Sequence, residues 1–163
     1  MFCKIDNYFR SLYRLSGYLA AFFLILVATF ILTGIASRIF GFYIRGLAEY
    51  SGYSMAASSF LALAYTFGEK GHIRITLFLE KSKKNIKSAL ELWCLFVATF
   101  FSGYLSYYFV KMLIISIQFG ERSEGADEIL IWVPQLPVAI GATIFFICVF
   151  HNLILFILKK NET

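Results

Sequence analysis

The chain alternates between long runs without charged residues and short segments that carry nearly all of its charge. Four of these runs are long enough to cross a bilayer, which takes about 20 apolar residues. Backbone amides inside lipid have no water to bond, so such runs must be helical. The pattern predicts an all-α integral membrane fold, a single membrane domain over 1–163, with four transmembrane helices at 15–37, 48–68, 89–113 and 133–158.

Two charged segments also carry apolar residues and are predicted to lie on the membrane surface. In residues 1–14, apolar side chains fall at helical spacing on one face, while Lys4, Arg10 and Arg14 fall on the other. This is typical of an amphipathic helix in the interface plane, with its basic residues near phospholipid headgroups. In the second loop, apolar residues interrupt the lysines, which predicts a surface-lying segment over 73–85.

The third predicted helix is bounded only weakly by its charge. Its apolar pattern resumes after Lys111 and continues as far as Gln118. A helix of about 30 residues would be about 45 Å long at 1.5 Å per residue. We therefore expect it to tilt strongly in the bilayer.

The Lys and Arg residues are distributed unequally among the connections. Eleven of the fifteen lie in the N-terminal segment, the second loop and the C-terminal tail, and four lie in the other two loops. The positive-inside rule then places both termini in the cytoplasm of a multi-pass protein, which we expect in a bacterial inner membrane. Because topology accounts for the net charge of +5, no nucleic-acid partner is indicated. The first apolar run, of about 23 residues, exceeds the about 7–15 of a cleaved signal segment, so we expect it to be retained.

Composition agrees with a membrane location. Hydrophobic residues make up 60% of the chain and charged residues only 15%. An ordinary soluble domain is about a quarter charged. The excess apolar surface must face something other than a protein core, and lipid satisfies that requirement.

The residues needed for chemistry inside a membrane are scarce. No ionisable residue lies near the centre of a predicted span, and Glu49 and Glu91 lie at helix starts. The two histidines, His72 and His151, fall toward the cytoplasmic side, and neither pairs with another inside the bilayer as a haem ligand would. The cysteines are isolated along the chain: Cys3, Cys94 and Cys148. The pattern favours a non-catalytic chain without cofactor or metal. A membrane-anchor subunit of a redox or haem complex stays open as an alternative, as does a small proton-coupled exporter.

Two of the predicted spans carry small residues every four positions. Such faces let helices approach closely and let hydroxyl groups bond across the contact. They predict either packing within this chain or docking of a larger membrane protein. The residues concerned are Ser54, Ser58 and Ala62 in the second span, and Ala98, Ser102 and Ser106 in the third.

Charged and aromatic residues near the helix ends indicate further contacts. The third loop is acidic and is either solvated or a docking surface for a periplasmic protein; its acids are Glu121, Glu124, Asp127 and Glu128. Residues of types that suit the lipid interface are Arg10, Arg14, Trp93 and Trp132.

Three stretches together resemble a known family. Glu49 and Tyr50 open the second helix, which continues through Phe-Leu-Ala-Leu-Ala-Tyr-Thr-Phe at 60–67 and is followed by Gly-His-Ile-Arg-Ile at 71–75. Val133-Pro134-Gln135, with Pro137 and Gly141, opens the fourth helix. On these motifs the chain resembles the small, DctQ-like membrane subunit of tripartite ATP-independent periplasmic (TRAP) transporters over nearly its whole length. The four acids of the third loop depart from the usual family pattern.

The resemblance implies a role in sodium-driven symport of organic acids, of the sialic acid or C4-dicarboxylate class. It implies a small permease subunit that scaffolds a large elevator-type membrane subunit and helps dock a periplasmic substrate-binding protein. Substrate and sodium sites would belong to the large subunit. The positions expected either at the subunit interface or in structural packing within the chain are Glu49, Tyr50, Ser54, Ser58, Ala62, His72, Arg74, Ser102, Ser106 and Pro134.

Overall fold

Four helices make up the fold in a computed structural model that describes residues 2–68, 84–125 and 128–161, with the side chains of 9–68, 88–125 and 128–158. No strand occurs in these ranges; the connection after the third helix holds one isolated bridge, between Arg122 and Leu130. The helices are α1 Phe2–Ile39, α2 Leu47–Gly68, α3 Lys84–Phe119 and α4 Trp132–Asn161.

Glycines in the left-handed conformation end both α1 and α3. Gly41 has φ +74° and Gly120 has φ +59°. The N–H of Phe42 donates to the carbonyl of Ser37 at 3.0 Å, and the N–H of Glu121 donates to the carbonyl of Ser116 at 3.2 Å. This return bond satisfies a carbonyl of the last turn and needs the positive φ that glycine adopts without steric cost.

The helices pack in the order α1, α2, α4, α3, with α2 and α4 in the middle. Ser58 reaches Ala20 and the ring of Tyr50 contacts Phe30, so α1 and α2 are antiparallel. Between α3 and α4, Ser106 meets Thr143 and Gly103 meets Phe146, so these two helices are antiparallel as well. The start of α1 and the end of α4 lie at one end of the bundle, where the ring centroids of Phe9 and His151 are 4.6 Å apart; this end is called the terminal end. The opposite end, formed by residues 40–46 and the described part of 120–131, is called the distal end.

Small side chains form the core, and the large apolar side chains face outward. Ala57 and Ala64 of α2 and Ala142 of α4 are at most 1% exposed. Small core residues let helices approach closely. Phe22 of α1 and Phe100 of α3, by contrast, are more than half exposed. The outer helices therefore present broad apolar surfaces, which in a membrane protein face lipid or another subunit.

Three of the described helices contain stretches long and apolar enough to cross a membrane: Phe9–Ile39, Ser88–Phe119 and Trp132–Leu158. The second predicted span, 48–68, does form a helix, α2, but α2 is not among these three. Its position between α1 and α4 explains why, because a helix with protein on two sides can carry hydroxyl groups and glycines that its neighbours cover.

The structure revises several predicted boundaries. α3 extends through Phe119, which confirms the extension predicted to Gln118. α4 begins one residue before the predicted 133 and ends at Asn161. Residues 2–39 form one continuous helix of 38 residues, without a break near residue 14, so a separate surface-lying helix over 1–14 is not confirmed. The predicted surface segment 73–85 lies outside the described residues except where α3 begins at Lys84.

Candidate interaction sites

A polar cluster joins the start of α2 to the connection between α3 and α4 at the distal end. The hydroxyl oxygens of Tyr53 and Ser123 lie 2.9 Å apart. Glu49 lies one turn before Tyr53 on the same face of α2, because residues four apart are neighbours on a helix. Its carboxyl group packs so closely on Gly125 that a side chain at that position would overlap it. We call Glu49, Tyr53, Ser123 and Gly125 the distal cluster.

Backbone hydrogen bonds shape the connection that carries this cluster. The N–H of Ser123 donates to the carbonyl of Ile129 at 2.7 Å, and the N–H of Ile131 donates to the carbonyl of Glu121 at 3.0 Å. These pairs hold the two arms of the connection side by side. The N–H of Gly125 also donates to Ser123 Oγ at 3.2 Å. The connection is therefore ordered where it meets α2.

The acidic residues of this connection have different surroundings. The carboxylate of Glu121 accepts a hydrogen bond from Ser116 Oγ at 2.9 Å, which ties it to the last turns of α3. Glu124 and Glu128 are exposed. Asp127 lies outside the described residues. The structure thus places Glu121, Glu124 and Glu128 on one connection, all three exposed, with Glu121 also bonded to Ser116.

Glu49 occupies the first turn of α2. A carboxylate there is stabilised by the positive end of the helix dipole. The next residue, Tyr50, faces the other way, and its ring centroid lies 5.8 Å from that of Phe30 on α1. The two neighbours therefore serve different contacts: Glu49 meets the distal connection and Tyr50 meets α1.

The small residues of α2 are used inside the chain. Ser54 and Ser58 are buried and Ala62 is half-buried. The Oγ of Ser58 donates to the carbonyl of Ala20 at 2.9 Å, and in return Ser16 Oγ of α1 donates to the carbonyl of Leu61 at 2.6 Å. The α1–α2 contact thus holds two buried hydroxyl-to-backbone bonds.

The small residues of α3 pack against α4. Ser102 is buried and donates to the carbonyl of Thr99 in its own helix at 3.2 Å. Ser106 lies 3.1 Å from Thr143 Oγ1 across the contact. Between them, Gly103 accommodates the ring of Phe146. This face of α3 is therefore covered by α4 in the isolated chain.

The remaining predicted positions lie at the two ends of the bundle. Arg10 and Arg14 are exposed on α1, and Trp93 is 65% exposed on α3, all toward the terminal end. Trp132 and Pro134 are half-buried in the first turn of α4, at the distal end. Tryptophans thus occur near both ends, as at the two interfaces of a bilayer. His72 and Arg74 lie outside the described residues.

Several contacting residues were not predicted from the sequence. Tyr53 and Ser123 are one such pair. At the terminal end, the Tyr13 hydroxyl lies 3.4 Å from His151 Nδ1, and the ring centroid of Phe9 lies 4.6 Å from that of His151. Tyr53 could have been predicted to lie beside Glu49, because residues four apart are neighbours on a helix. No feature of the sequence indicated the contact between Tyr13 and His151. No cluster of three or more potential metal ligands occurs in the described part of the chain.

Comparison with protein families bears on this arrangement. The family model described as "Tripartite ATP-independent periplasmic transporters, DctQ component" matches residues 26–158. The chain belongs to the DctQ family. The match identifies a small permease subunit of a TRAP transporter, which is not an enzyme family. No curated protein matches the chain.

All residues of the distal cluster, from Glu49 to Gly125, lie within the range that the DctQ family model matches. It also covers α2, most of α4 and the described α3. The first 24 residues of α1 precede the matched range. A tripartite system implies partner subunits, so parts of the exposed surface are available for contacts with other chains.

Proposed function

We propose that this DctQ-family chain is the fixed scaffold of a sodium-driven transporter for organic acids. It packs against a large elevator-type membrane subunit, which carries the substrate and sodium sites. The substrate is of the sialic acid or C4-dicarboxylate class. The chain itself is non-catalytic and binds neither cofactor nor metal.

The main support for this proposal comes from the polar residues buried inside the bundle. Seven buried polar residues occur among the described side chains, and all are serines. A chain that moved an organic anion or a cation by itself would need ionisable groups facing its interior, because such groups mark transport pathways in membranes. Hydroxyl groups bonded between neighbouring helices instead support a packed scaffold.

The outer surfaces supply the contact area that a scaffold needs. α3 presents an aromatic edge that includes Phe100, Phe101 and Tyr104, each more than half exposed. α1 presents a second apolar edge on the opposite side of α2 and α4. With both edges exposed, the chain has room for a large subunit on one side and lipid on the other.

Co-purification tests the scaffold. The chain, tagged at its C-terminus and co-expressed with a large TRAP permease subunit from the same genome, should retain that subunit in mild detergent at a constant ratio. A tagged TRAP small subunit from another system, expressed with the same large subunit, is the matched control. Isolation of this chain alone, under conditions in which both proteins are stable, would contradict the proposal.

The distal end is the proposed contact for the periplasmic substrate-binding protein. Glu124 and Glu128 are exposed there, and Asp127 lies between them in sequence. Reversing the charges with Glu124→Lys and Glu128→Lys should raise the concentration of binding protein needed for half-maximal uptake. Glu121→Gln is the control, because Glu121 is exposed on the same connection but its carboxylate accepts a hydrogen bond from Ser116 of this chain. An unchanged requirement in the double variant would exclude this surface.

The proposed orientation places both termini in the cytoplasm of a bacterial cell and the distal end in the periplasm. Introduced cysteines can test it in a background that lacks Cys3 and Cys94 and keeps Cys148, which is buried. Exposed positions suitable for labelling are Ser11 at the terminal end and Glu124 at the distal end. An impermeant thiol reagent added to intact spheroplasts should label the Glu124→Cys variant and spare the Ser11→Cys variant. The reverse pattern would overturn the orientation.

A further inference from the structure

A cavity of about 490 Å³ opens between α1 and α2 near the terminal end. It is lined by Arg14, Gly17, Tyr18 and Tyr65. Three of these residues precede the range matched by the family model, which begins at residue 26. Binding of a ligand in this cavity therefore requires only that the chain lies in a membrane, and not that it assembles with other subunits.

The depth of the cavity follows from how α1 and α2 align. Tyr13 packs on Gly68, the last residue of α2, so Arg14 is level with the final turn of α2. The 22 residues of α2 are about 33 Å long at 1.5 Å per residue. Because the hydrocarbon layer is about 30 Å thick, the cavity lies where acyl chains meet headgroups.

A glycine creates the cavity floor. The ring of Tyr65 lies across Gly17, so a Cβ there would stand 2.8 Å from Tyr65 Cγ. Arg14 and Tyr18 are four residues apart and share one face of α1. Tyr18 is 74% exposed and Tyr65 is 41% exposed. Among the described residues, one guanidinium and two phenols thus line this open space.

This combination fits a molecule with a phosphate head and apolar tails. Guanidinium groups bind phosphate oxygens through paired, charge-assisted hydrogen bonds, and a phenol hydroxyl is a further donor. A volume of about 490 Å³ is typical of small-molecule sites. We propose that the cavity binds the phosphate headgroup of an anionic phospholipid, with Arg14 on the phosphate and Tyr18 and Tyr65 beside it.

Native mass spectrometry of the full chain in detergent tests this site with defined probes. Phosphatidylglycerol should be retained at one molecule per chain, whereas diacylglycerol, which lacks the phosphate, should not. Arg14→Gln should lower the phosphatidylglycerol affinity about tenfold, the effect of one charge-assisted hydrogen bond. Tyr18→Phe and Tyr65→Phe, which keep the rings, should each lower it about two- to fivefold, as for neutral hydrogen bonds.

Arg38→Gln is the matched control, because Arg38 is exposed on the same helix at the distal end and should leave the affinity unchanged. Equal retention by the wild type and the Arg14→Gln variant would overturn the site, and so would an equal loss in Arg38→Gln. Displacement of the lipid by millimolar inorganic phosphate would overturn a lipid as the occupant. If Arg14→Gln fails to fold, Tyr65→Phe alone decides, since unchanged affinity there contradicts the geometry.

Discussion

Gly141 marks a close approach between the two inner helices, and replacing it with alanine tests how tightly they pack. Gly141 is buried on α4. A Cβ there would lie 2.8 Å from the carbonyl carbon of Phe60 and 2.9 Å from the amide nitrogen of Leu61. Both atoms belong to the backbone of α2, which cannot move aside as a flexible side chain can. The methyl group must therefore push α2 and α4 apart.

The expected cost follows from two opposing effects. Inserting a methyl group into a well-packed core costs about 1–3 kcal/mol. Alanine is a better helix former than glycine by about 1 kcal/mol, which offsets part of this cost. The Gly141→Ala variant should therefore lose up to about 2 kcal/mol of its free energy of unfolding.

Gly52→Ala is the matched control. Gly52 also lies inside a helix, but nothing approaches within 4 Å of the position of its Cβ. The same chemical change there should be neutral or stabilise by up to about 1 kcal/mol. The difference between the two variants isolates the packing cost at about 1–3 kcal/mol.

Unfolding of the full chain in mixed micelles, followed by circular dichroism as the fraction of sodium dodecyl sulfate rises, measures this difference. Gly141→Ala should unfold at a lower fraction than the wild type, and Gly52→Ala at an equal or higher one. If the two variants unfold at the same fraction, α2 and α4 do not approach as closely as the structure has them.

Substitutions at three other positions give further testable predictions. Ser58→Ala removes the bond to Ala20 and should cost about 0.6–2 kcal/mol, the range of polar contacts between membrane helices; Ser59→Ala, on the exposed face, should cost nothing in the same unfolding assay. Glu49→Gln should lower transport or the yield of the complex more than membrane insertion, and equal uptake and equal yield would exclude a role for that carboxylate. Ser102→Leu places a large side chain in the buried α3–α4 contact and should cost about 1–3 kcal/mol, measured by thermal unfolding in detergent; an unchanged transition would show that the face meets lipid.

The existence of the helices was predictable because lipid leaves a long apolar run no other backbone structure. Their lengths were less predictable. The span predicted for α3 was 89–113, and the helix in the structure is Lys84–Phe119. Lys111 lies within it and is exposed, with its ammonium 6.0 Å from the centroid of the Tyr108 ring. A lysine can lie on the outside of a membrane helix because its long stem lets the charge reach the interface.

Sites were predictable only as far as local sequence determines them. Glu49 was expected at a helix start, and it lies in the first turn of α2. Its contact with Gly125, and that of Tyr53 with Ser123, join residues about 70 positions apart. Only the packing of four helices brings these together, and no periodicity of one helix encodes it. The cavity beside Gly17 likewise requires the alignment of α1 with α2.

Reconstitution tests the scaffold role most directly. Proteoliposomes with an inward sodium gradient would hold the large permease subunit and its binding protein, with or without this chain, and uptake of a radiolabelled sialic acid and of a C4-dicarboxylate would be measured. We predict sodium-dependent uptake of one of these substrates only when the chain is present. Full uptake without the chain would contradict the proposed role.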